Sequence, residues 1–485
     1  MDQRIRNIIE PIALRFPSIE QPPGKHSLRQ KLKWTVGVLF IYFALTNVAI
    51  FGLSLQGGSD LFGQFRSVLA GSQGSILQLG IGPIVTASII LQLMSGVDLL
   101  GLDLNDPRDQ QLYQGLQKIL VLLMVVITGL PFAFSPQFLP PSQAVASTLG
   151  IGILGVQLLI FVQIAAGGAI IMYLDEVVSN WGVGSGIGLF IIAGVSQRMI
   201  GGVFSRIIPN WYSIITGNLT APIFTAGWFQ ELLITRGRII PIVTTIGIFA
   251  VVVYAESTRV GIPIVRQNSA TGRGRYPVKL IYASVMPLIL VRAVQANIQL
   301  AGRVLDSQLG AQMPTWLGRF SPQGQATSGL FYYLSPIQQP GQWQWWAGGP
   351  AATHTPIEIF LRISVDLGIM VIGGAIFALF WVNTTGMSSR DVAGQLKRGG
   401  FQIPGWRTNE KIIAKRVDRY IPYITVIGGA LVGVLAVGAN MLGTIGGVTG
   451  TGLLLSVSIT YKLYESIQQE ALTELGPRAR AFFGS

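Results

Sequence analysis

Half of the 485 residues are hydrophobic, 11% are charged, and the mean hydropathy is +0.53. A soluble domain needs about 25% charged residues to cover its surface, so this composition excludes an ordinary soluble protein. The chain has no cysteine and two histidines, which excludes a disulfide framework, thiolate chemistry and an imidazole metal cluster. The 34 Lys and Arg residues outnumber the 21 Asp and Glu residues, a bias that membrane proteins carry on their cytoplasmic loops.

Residues 1–33 precede the first long apolar run. Ile5, Ile8 and Ile9 alternate with arginines at roughly helical spacing, and the pattern ends near Pro22. This pattern predicts a helix that lies in the cytoplasmic membrane interface.

Ten apolar runs follow, each close to the length of about 20 residues that crosses the hydrocarbon core. They predict an all-α polytopic membrane protein with ten transmembrane helices. The predicted spans are 34–54, 75–97, 117–137, 149–173, 186–207, 239–256, 280–300, 357–381, 420–440 and 442–463.

The loops divide by charge. An even number of spans places both termini on one side, and that side carries 25 Lys and Arg residues against six on the other. The positive-inside rule therefore predicts that both termini are cytoplasmic. The inner loops 257–279 and 382–419 carry 13 of the 25, and the tail 464–485 lies on the same side.

Two outer connections are long. Residues 208–238 form an external linker, and residues 301–356 are nearly uncharged and rich in tryptophan, glycine and proline. Tryptophan favours the membrane interface, so a loop lying in the outer interface is one interpretation of 301–356. A disordered external loop is the other.

The spans form an internal repeat. The first span begins near Trp34 and the sixth near Ile239, an offset of 205, and Pro83 and Pro287 in the second and seventh spans lie 204 apart. Because five is odd, the halves 34–207 and 239–463 insert in opposite orientations. Inverted repeats place the working site between the halves, in a secondary transporter or in a channel.

Ionisable groups are scarce inside the spans. Arg292 lies in the seventh span, and Arg362 and Asp366 in the eighth are four residues apart, which predicts a structural ion pair. Asp175 and Glu176 are expected to be solvated at the inner end of the fourth span. The chain has no phosphate-binding glycine loop, no His-Glu-x-x-His and no credible Ser/His/Asp set, so catalytic residues, metal ligands and a cofactor are not expected.

Two short apolar pairs stand beside glycines. Ile81 and Val85 are four residues apart, and Ile187 and Ile191 repeat that spacing. From the residues alone, these are ordinary packing positions.

Several longer motifs resemble the archaeal form of SecY, the central subunit of the Sec protein-conducting channel. They fall in both halves and cover nearly the whole chain. The motifs are Leu79 to Thr86 (LGIGPIVT), Tyr173 to Ile187 (YLDEVVSNWGVGSGI), Gly274 to Pro277 (GRYP), Ala296 to Leu300 (ANIQL), Ile403 to Arg407 (IPGWR) and Gly450 to Ile459 (GTGLLLSVSI).

The resemblance implies an hourglass pore closed by a ring of aliphatic side chains. Such a ring offers ions nothing to replace their hydration shells, yet it can part around an extended polypeptide. The matching ring positions are Ile81, Val85, Ile187, Ile191, Ile289 and Leu455.

The resemblance also implies a plug helix at about 59–70, which rests under the ring in the closed state. Leu61, Phe65, Val68 and Leu69 would share its apolar face. The predicted plug residues are Leu61, Phe62, Phe65, Arg66, Val68 and Leu69.

A lateral gate between the second and seventh spans follows from the same resemblance. Pro83 and Thr86 would lie on one side, and Pro287 and Asn297 on the other, with a hydrogen bond between the polar pair. Arg292 departs from the small residue expected in the seventh span.

The two basic inner loops match ribosome-docking loops of the family, with Arg273, Arg275 and Arg407 as candidates. Plain positive-inside topology also explains the charge of these loops. The family further implies the partner subunits SecE and Secβ.

These inferences predict a channel in the plasma membrane that moves nascent polypeptides across it and, on binding a signal sequence, releases hydrophobic segments into membrane lipid. The alternative is an inverted-repeat secondary transporter of a small solute, which the scarcity of mid-depth acids disfavours.

Overall fold

The computed structural model describes part of the chain, and structural statements below refer to that part. The described residues are 11, 15–24, 26–54, 69–96, 99–102, 106–135, 138–215, 233, 239–266, 273–283, 285–321, 324–347, 350–385, 387–398, 401–402, 414–415 and 417–474. The predicted interfacial helix before Pro22 lies largely outside these residues.

Helices dominate both halves. A π-helical segment, Val203–Ile207, joins the helices Gly186–Gly202 and Ile208–Ile215. The first half contains α1 (Leu28–Asn47), α2 (Gly82–Gly96), α3 (Pro107–Phe134), α4 (Gln143–Leu149), α5 (Gly152–Trp181), α6 (Gly186–Gly202) and α7 (Ile208–Ile215). The second half contains α8 (Ile239–Ser257), α9 (Met286–Leu309), α10 (Gly329–Leu334), α11 (Pro356–Thr384), α12 (Ser389–Arg398), α13 (Ile421–Leu442) and α14 (Gly450–Glu474).

Local signals set several helix starts. Asp106 caps α3 by accepting a hydrogen bond from the backbone N–H of Arg108 at 3.0 Å, and Pro107 follows at the first helical position. Thr355 and Glu358 form a capping box at the start of α11.

Each predicted span overlaps one of these helices. Among the described residues, seven helices are long and apolar enough to cross a membrane, namely α3, α5, α6 with its continuation into α7, α8, α9, α11 and α13, and α2 is a shorter apolar helix. The chain is therefore a multi-pass membrane protein. The helices α1 and α14 each contain an apolar stretch and a polar end, and neither is among the seven. The total of ten crossings therefore stays a prediction.

Glycines let α11 and α13 pack backbone against backbone. A Cβ atom on Gly429 would lie 2.5 Å from the carbonyl oxygen of Gly374, and one on Gly433 would lie 2.5 Å from that of Met370. Small residues at such spacing are how helices associate closely in lipid, where the hydrophobic effect does not drive them together.

One large buried cluster joins the halves. The first-half helices α2 and α6 pack against α9, α11 and α14 of the second half. The helices α1 and α14 also contact each other, through an ion pair between Lys31 and Glu470.

The inner loops of the second half form a small antiparallel sheet with the strand order β2-β1-β3. Its strands are β1 (Arg259–Arg266), β2 (Arg273–Lys279) and β3 (Phe401–Gln402). The register pairs Arg259 with Lys279 and Arg266 with Phe401. Two basic loops that are far apart in sequence therefore lie side by side.

The described part of the outer segment 301–356 is folded, so the disordered alternative is wrong there. Met313, Ala326, Phe331 and Tyr332 form its own buried cluster. The indole Nε1 of Trp343 donates a hydrogen bond to the carbonyl oxygen of Met441 at 2.9 Å, which fixes the segment on the end of α13.

Candidate functional site

The start of α2 is fixed by the chain that precedes it. The backbone N–H of Ile81 donates to the carbonyl oxygen of Leu69 at 2.8 Å. Gly80 has a φ of +55°, and a Cβ there would lie 2.1 Å from the same oxygen, so this crossing requires glycine. Ile81 is fully buried as a result, and Val85 follows one turn later, also buried.

A half-buried carboxylate fixes the start of α6. Asp175, near the end of α5, accepts a hydrogen bond from the backbone N–H of Ile187 at 2.8 Å, and a Cβ on Gly186 would lie 2.5 Å from its Oδ1 atom. Asp175 therefore belongs to α5 and caps the start of α6, so the expectation that it is merely a solvated charge at the end of the span was wrong. Along α6, Ile187 is partly buried and Ile191 is fully buried.

Five of the six predicted ring residues lie in the large buried cluster, which α2, α6, α9 and α14 all enter, and Ile187 packs against it. Val85, Ile187 and Ile289 line one cavity of about 290 Å³, together with polar side chains from α2, α3 and α11. Ile81, Ile191 and Leu455 are each fully buried. The cavity thus brings together aliphatic side chains of both halves, from α2, α6 and α9.

Most of the predicted plug falls outside the described residues, including Leu61, Phe62, Phe65, Arg66 and Val68. Leu69 is described, is buried, and packs on Gly82. The Tyr42 hydroxyl donates to the carbonyl oxygen of Ala70 at 2.9 Å and holds the end of this segment against α1.

The predicted gate residues meet across the two halves. Asn297 Nδ2 on α9 donates a hydrogen bond to Thr86 Oγ1 on α2 at 3.0 Å, and the Thr86 hydroxyl in turn donates to the carbonyl oxygen of Gly82 at 2.9 Å. Pro83 and Pro287 are buried near the first turns of their helices.

Arg292 is buried in the middle of α9 and forms an ion pair with Asp366 of α11 at 3.0 Å. The predicted pair between Arg362 and Asp366 is therefore wrong. Arg362 instead donates to the backbone oxygen of Ser335 and lies over the ring of Tyr332, 4.6 Å from its centroid.

Two of the three docking candidates lie on the small sheet. Arg273 and Arg275 belong to β2, where their backbone positions pair with Val265 and Pro263 of β1. Arg407 lies outside the described residues, five positions after β3 ends.

Within the described part of the chain, no group of three or more His, Cys, Asp and Glu residues could hold a metal ion. The site therefore combines buried aliphatic side chains with two polar contacts. One is the polar seam between α2 and α9, formed by Thr86 and Asn297, and the other is the buried ion pair between Arg292 and Asp366.

The comparisons with known proteins agree with this geometry. A family model described as SecY matches residues 75–464, and one described as the plug domain of Sec61p matches residues 40–74. The protein translocase subunit SecY of Haloferax volcanii is 55% identical over 489 residues, with 99% of each chain covered.

Two solved structures share the fold. A structure of a protein-conducting channel is 35% identical, covers 96% of this chain and 98% of its own, and gives a TM-score of 0.79. Sec61 in the canine ribosome-channel complex from the endoplasmic reticulum is 34% identical, has the same coverage and gives a TM-score of 0.75. The chain belongs to the SecY family.

Proposed function

We propose that this chain is the central subunit of a protein-conducting channel that moves nascent polypeptides across the membrane and releases hydrophobic segments sideways into lipid. The observation that carries the proposal is the cavity that Val85, Ile187 and Ile289 line between the two halves, with Ile81, Ile191 and Leu455 fully buried at the start of α2, on α6 and on α14. Branched apolar side chains exclude hydrated ions, because they supply no polar group in place of water. The same side chains are mobile enough to part around an extended chain.

The seam between α2 and α9 supports the lateral route. Its hydrogen bond between Asn297 and Thr86 joins two neutral groups, and such bonds in membranes contribute about 1 kcal/mol. A signal sequence carries 7 to 15 apolar residues, and each buried methylene contributes about 0.8 kcal/mol. An arriving signal sequence therefore has enough apolar surface to displace this bond.

The proposed partners are a ribosome, which docks through the basic loops around Arg273, Arg275 and Arg407, and the small subunits SecE and Secβ. The canine relative solved in a ribosome-channel complex supports the first, and the common sheet of the two loops gives it a surface. The protein would act in the plasma membrane with both termini cytoplasmic, without catalysis or a cofactor.

The test uses the absence of cysteine from the chain. Ile81→Cys and Ile187→Cys each introduce a single thiol, and a stalled nascent polypeptide carries another. We expect both variants to form a disulfide with the stalled chain under oxidation, measured as an adduct on a non-reducing gel.

Leu91→Cys is the control, because Leu91 is fully buried on the same α2 helix but belongs to a separate cluster with Leu100 and Leu112. Adducts at Leu91→Cys in equal yield, or none at Ile81→Cys and Ile187→Cys, would contradict the proposal. A secondary transporter of a small solute predicts the latter result.

A further inference from the structure

Arg292 is the largest fully buried side chain of the described residues. Its guanidinium lies 3.0 Å from Asp366 Oδ1, and the two side chains are 2% and 0% exposed. Gln295 completes the contact, since its Oε1 accepts from Arg292 at 2.7 Å and its Nε2 donates to Asp366 at 3.2 Å. A charge buried at this depth persists only when it is paired and hydrogen-bonded.

The network extends through the second half of the molecule. Asp366 Oδ2 accepts a hydrogen bond from the backbone N–H of Ile337 at 3.2 Å. The guanidinium nitrogen Nη2 of Arg292 donates to Thr451 Oγ1 at 3.4 Å. Thr451 is held by Asn440, which donates to its hydroxyl at 3.0 Å and accepts from its backbone N–H at 2.9 Å. These contacts tie α9 to α11, α13 and α14.

The opposite face of α9 is held differently. Among the described residues, its side-chain hydrogen bond to α2 is the one between Asn297 and Thr86, which involves no charge. Charge-assisted hydrogen bonds are about twice as strong as neutral ones. The helix is therefore bound more firmly to its own half than to the first half.

The network also lies close to two predicted ring residues. Arg292 follows Ile289 by three positions on α9, and Thr451 precedes Leu455 by four on α14. One helical turn separates the network from each of them.

We propose that Arg292 is a positioning residue: through Asp366 and Thr451 it holds α9 to the second half, keeps Ile289 and Leu455 in place while the channel is shut, and confines opening to the seam between α2 and α9. This inference rests on the proposed function. It assigns to the ion pair a role in setting how readily the channel opens.

The test replaces both charges, R292M/D366M, because removing one partner alone leaves an uncompensated buried charge and is strongly destabilising, whereas replacing both with apolar residues is often neutral for stability. In planar bilayers we expect the resting ion conductance to rise about tenfold, the factor that corresponds to about 1.4 kcal/mol lost from the closed state. In reconstituted vesicles, a signal sequence with fewer leucines should then suffice for translocation.

Arg362→Met is the matched control. Arg362 is also buried, and lies on the same α11 helix as Asp366, but its partners Ser335, Pro336 and Tyr332 belong to the outer segment. We expect wild-type conductance and an unchanged leucine requirement for this variant. An equal effect of R362M would show that any loss of packing opens the channel and would overturn the inference.

The ring variant I81S/I191S separates this inference from the proposed function. If I81S/I191S conducts at rest and R292M/D366M behaves as wild type, the positioning role fails and the channel remains. If I81S/I191S is silent as well, the aliphatic barrier itself is wrong.

Discussion

Asn297 and Thr86 form a hydrogen bond between two helices, α9 and α2, that must separate for lateral exit. Thr86 satisfies its own hydroxyl proton within α2, through the carbonyl oxygen of Gly82, and so offers only a lone pair to Asn297. When the helices separate, Thr86 keeps its internal bond, and Asn297 alone needs a new partner. The seam therefore opens without leaving a buried hydroxyl proton unsatisfied.

Asn297→Ala is expected to favour lateral exit. Loss of about 1 kcal/mol at the seam should increase the fraction of a marginally hydrophobic reporter segment that enters lipid, about fivefold at most. Protease protection of the reporter in vesicles measures this fraction. Thr86→Val should have the same effect, and the double variant should add little, because both remove one bond.

Thr128→Val provides the control. Thr128 is a buried threonine of α3 whose hydroxyl donates to Met124 within its own helix. An increase of similar size in T128V would show that the seam bond is not what retains the reporter.

Site residues could be predicted from the sequence where a family motif matched, but not where the interacting side chain lies far away in the chain. Motif matches identified Thr86 and Asn297, which the structure brings into hydrogen-bond contact. The spacing of Arg362 and Asp366 suggested a local pair, but Asp366 binds Arg292, which is 74 positions away. Local spacing cannot reveal a partner supplied by another helix, and nothing in the sequence around Arg292 identifies Asp366.

Helix existence was predictable at the scale of elements, because apolar runs of about 20 residues have few alternatives in lipid. Helix ends were less so. The second predicted span starts at 75, whereas α2 starts at Gly82, since residues 75–81 form turns held by Leu69 and its neighbours. The last predicted span stops at 463, whereas α14 continues to Glu474 through a polar stretch that hydropathy does not detect.

Gly433→Ala tests the close packing of α11 and α13. Its new Cβ would lie 2.5 Å from the carbonyl oxygen of Met370, so we expect the variant to lose about 1 to 3 kcal/mol of stability. A lower thermal unfolding temperature in detergent would report this loss.

Gly438→Ala is the matched substitution on the same α13 helix, where a Cβ would meet nothing within 4 Å. Alanine has the higher helix propensity, by about 1 kcal/mol, so this variant should unfold at an equal or higher temperature. Equal destabilisation by G433A and G438A would mean that the close approach of the two helices does not limit stability.

The whole molecule brings the two basic inner loops together in one sheet. Each loop alone is explained by positive-inside topology, but their pairing through β1 and β3 concentrates positive charge at one place on the side predicted to be cytoplasmic. Their basic residues predict that both loops lie on the same side, but not that they are hydrogen-bonded neighbours. Strand pairing between loops more than a hundred residues apart leaves no local signal.

Charge reversal tests whether this sheet region docks a ribosome. Arg275→Glu and Arg407→Glu should each weaken ribosome binding, most strongly at low salt, because each removes an ionic interaction with an RNA phosphate. The slope of log affinity against log salt should decrease in magnitude by about 1 for each phosphate that is no longer neutralised. Co-sedimentation with ribosomes over a salt series measures both quantities.

Arg319→Glu is the charge-matched control, since Arg319 lies in the outer segment 301–356. If R319E weakens binding as much as R275E does, net charge alone governs the association. If R275E and R407E bind as wild type, the charge of these loops reflects topology only.

The ion pair between Lys31 and Glu470 has a consequence for the order of assembly. Lys31 is synthesised more than four hundred residues before Glu470, so the ion pair can form only after α14 has been synthesised. A product truncated before Glu470 lacks this ion pair between α1 and α14. The contact between α1 and α14 is thus linked to the completed synthesis of α14.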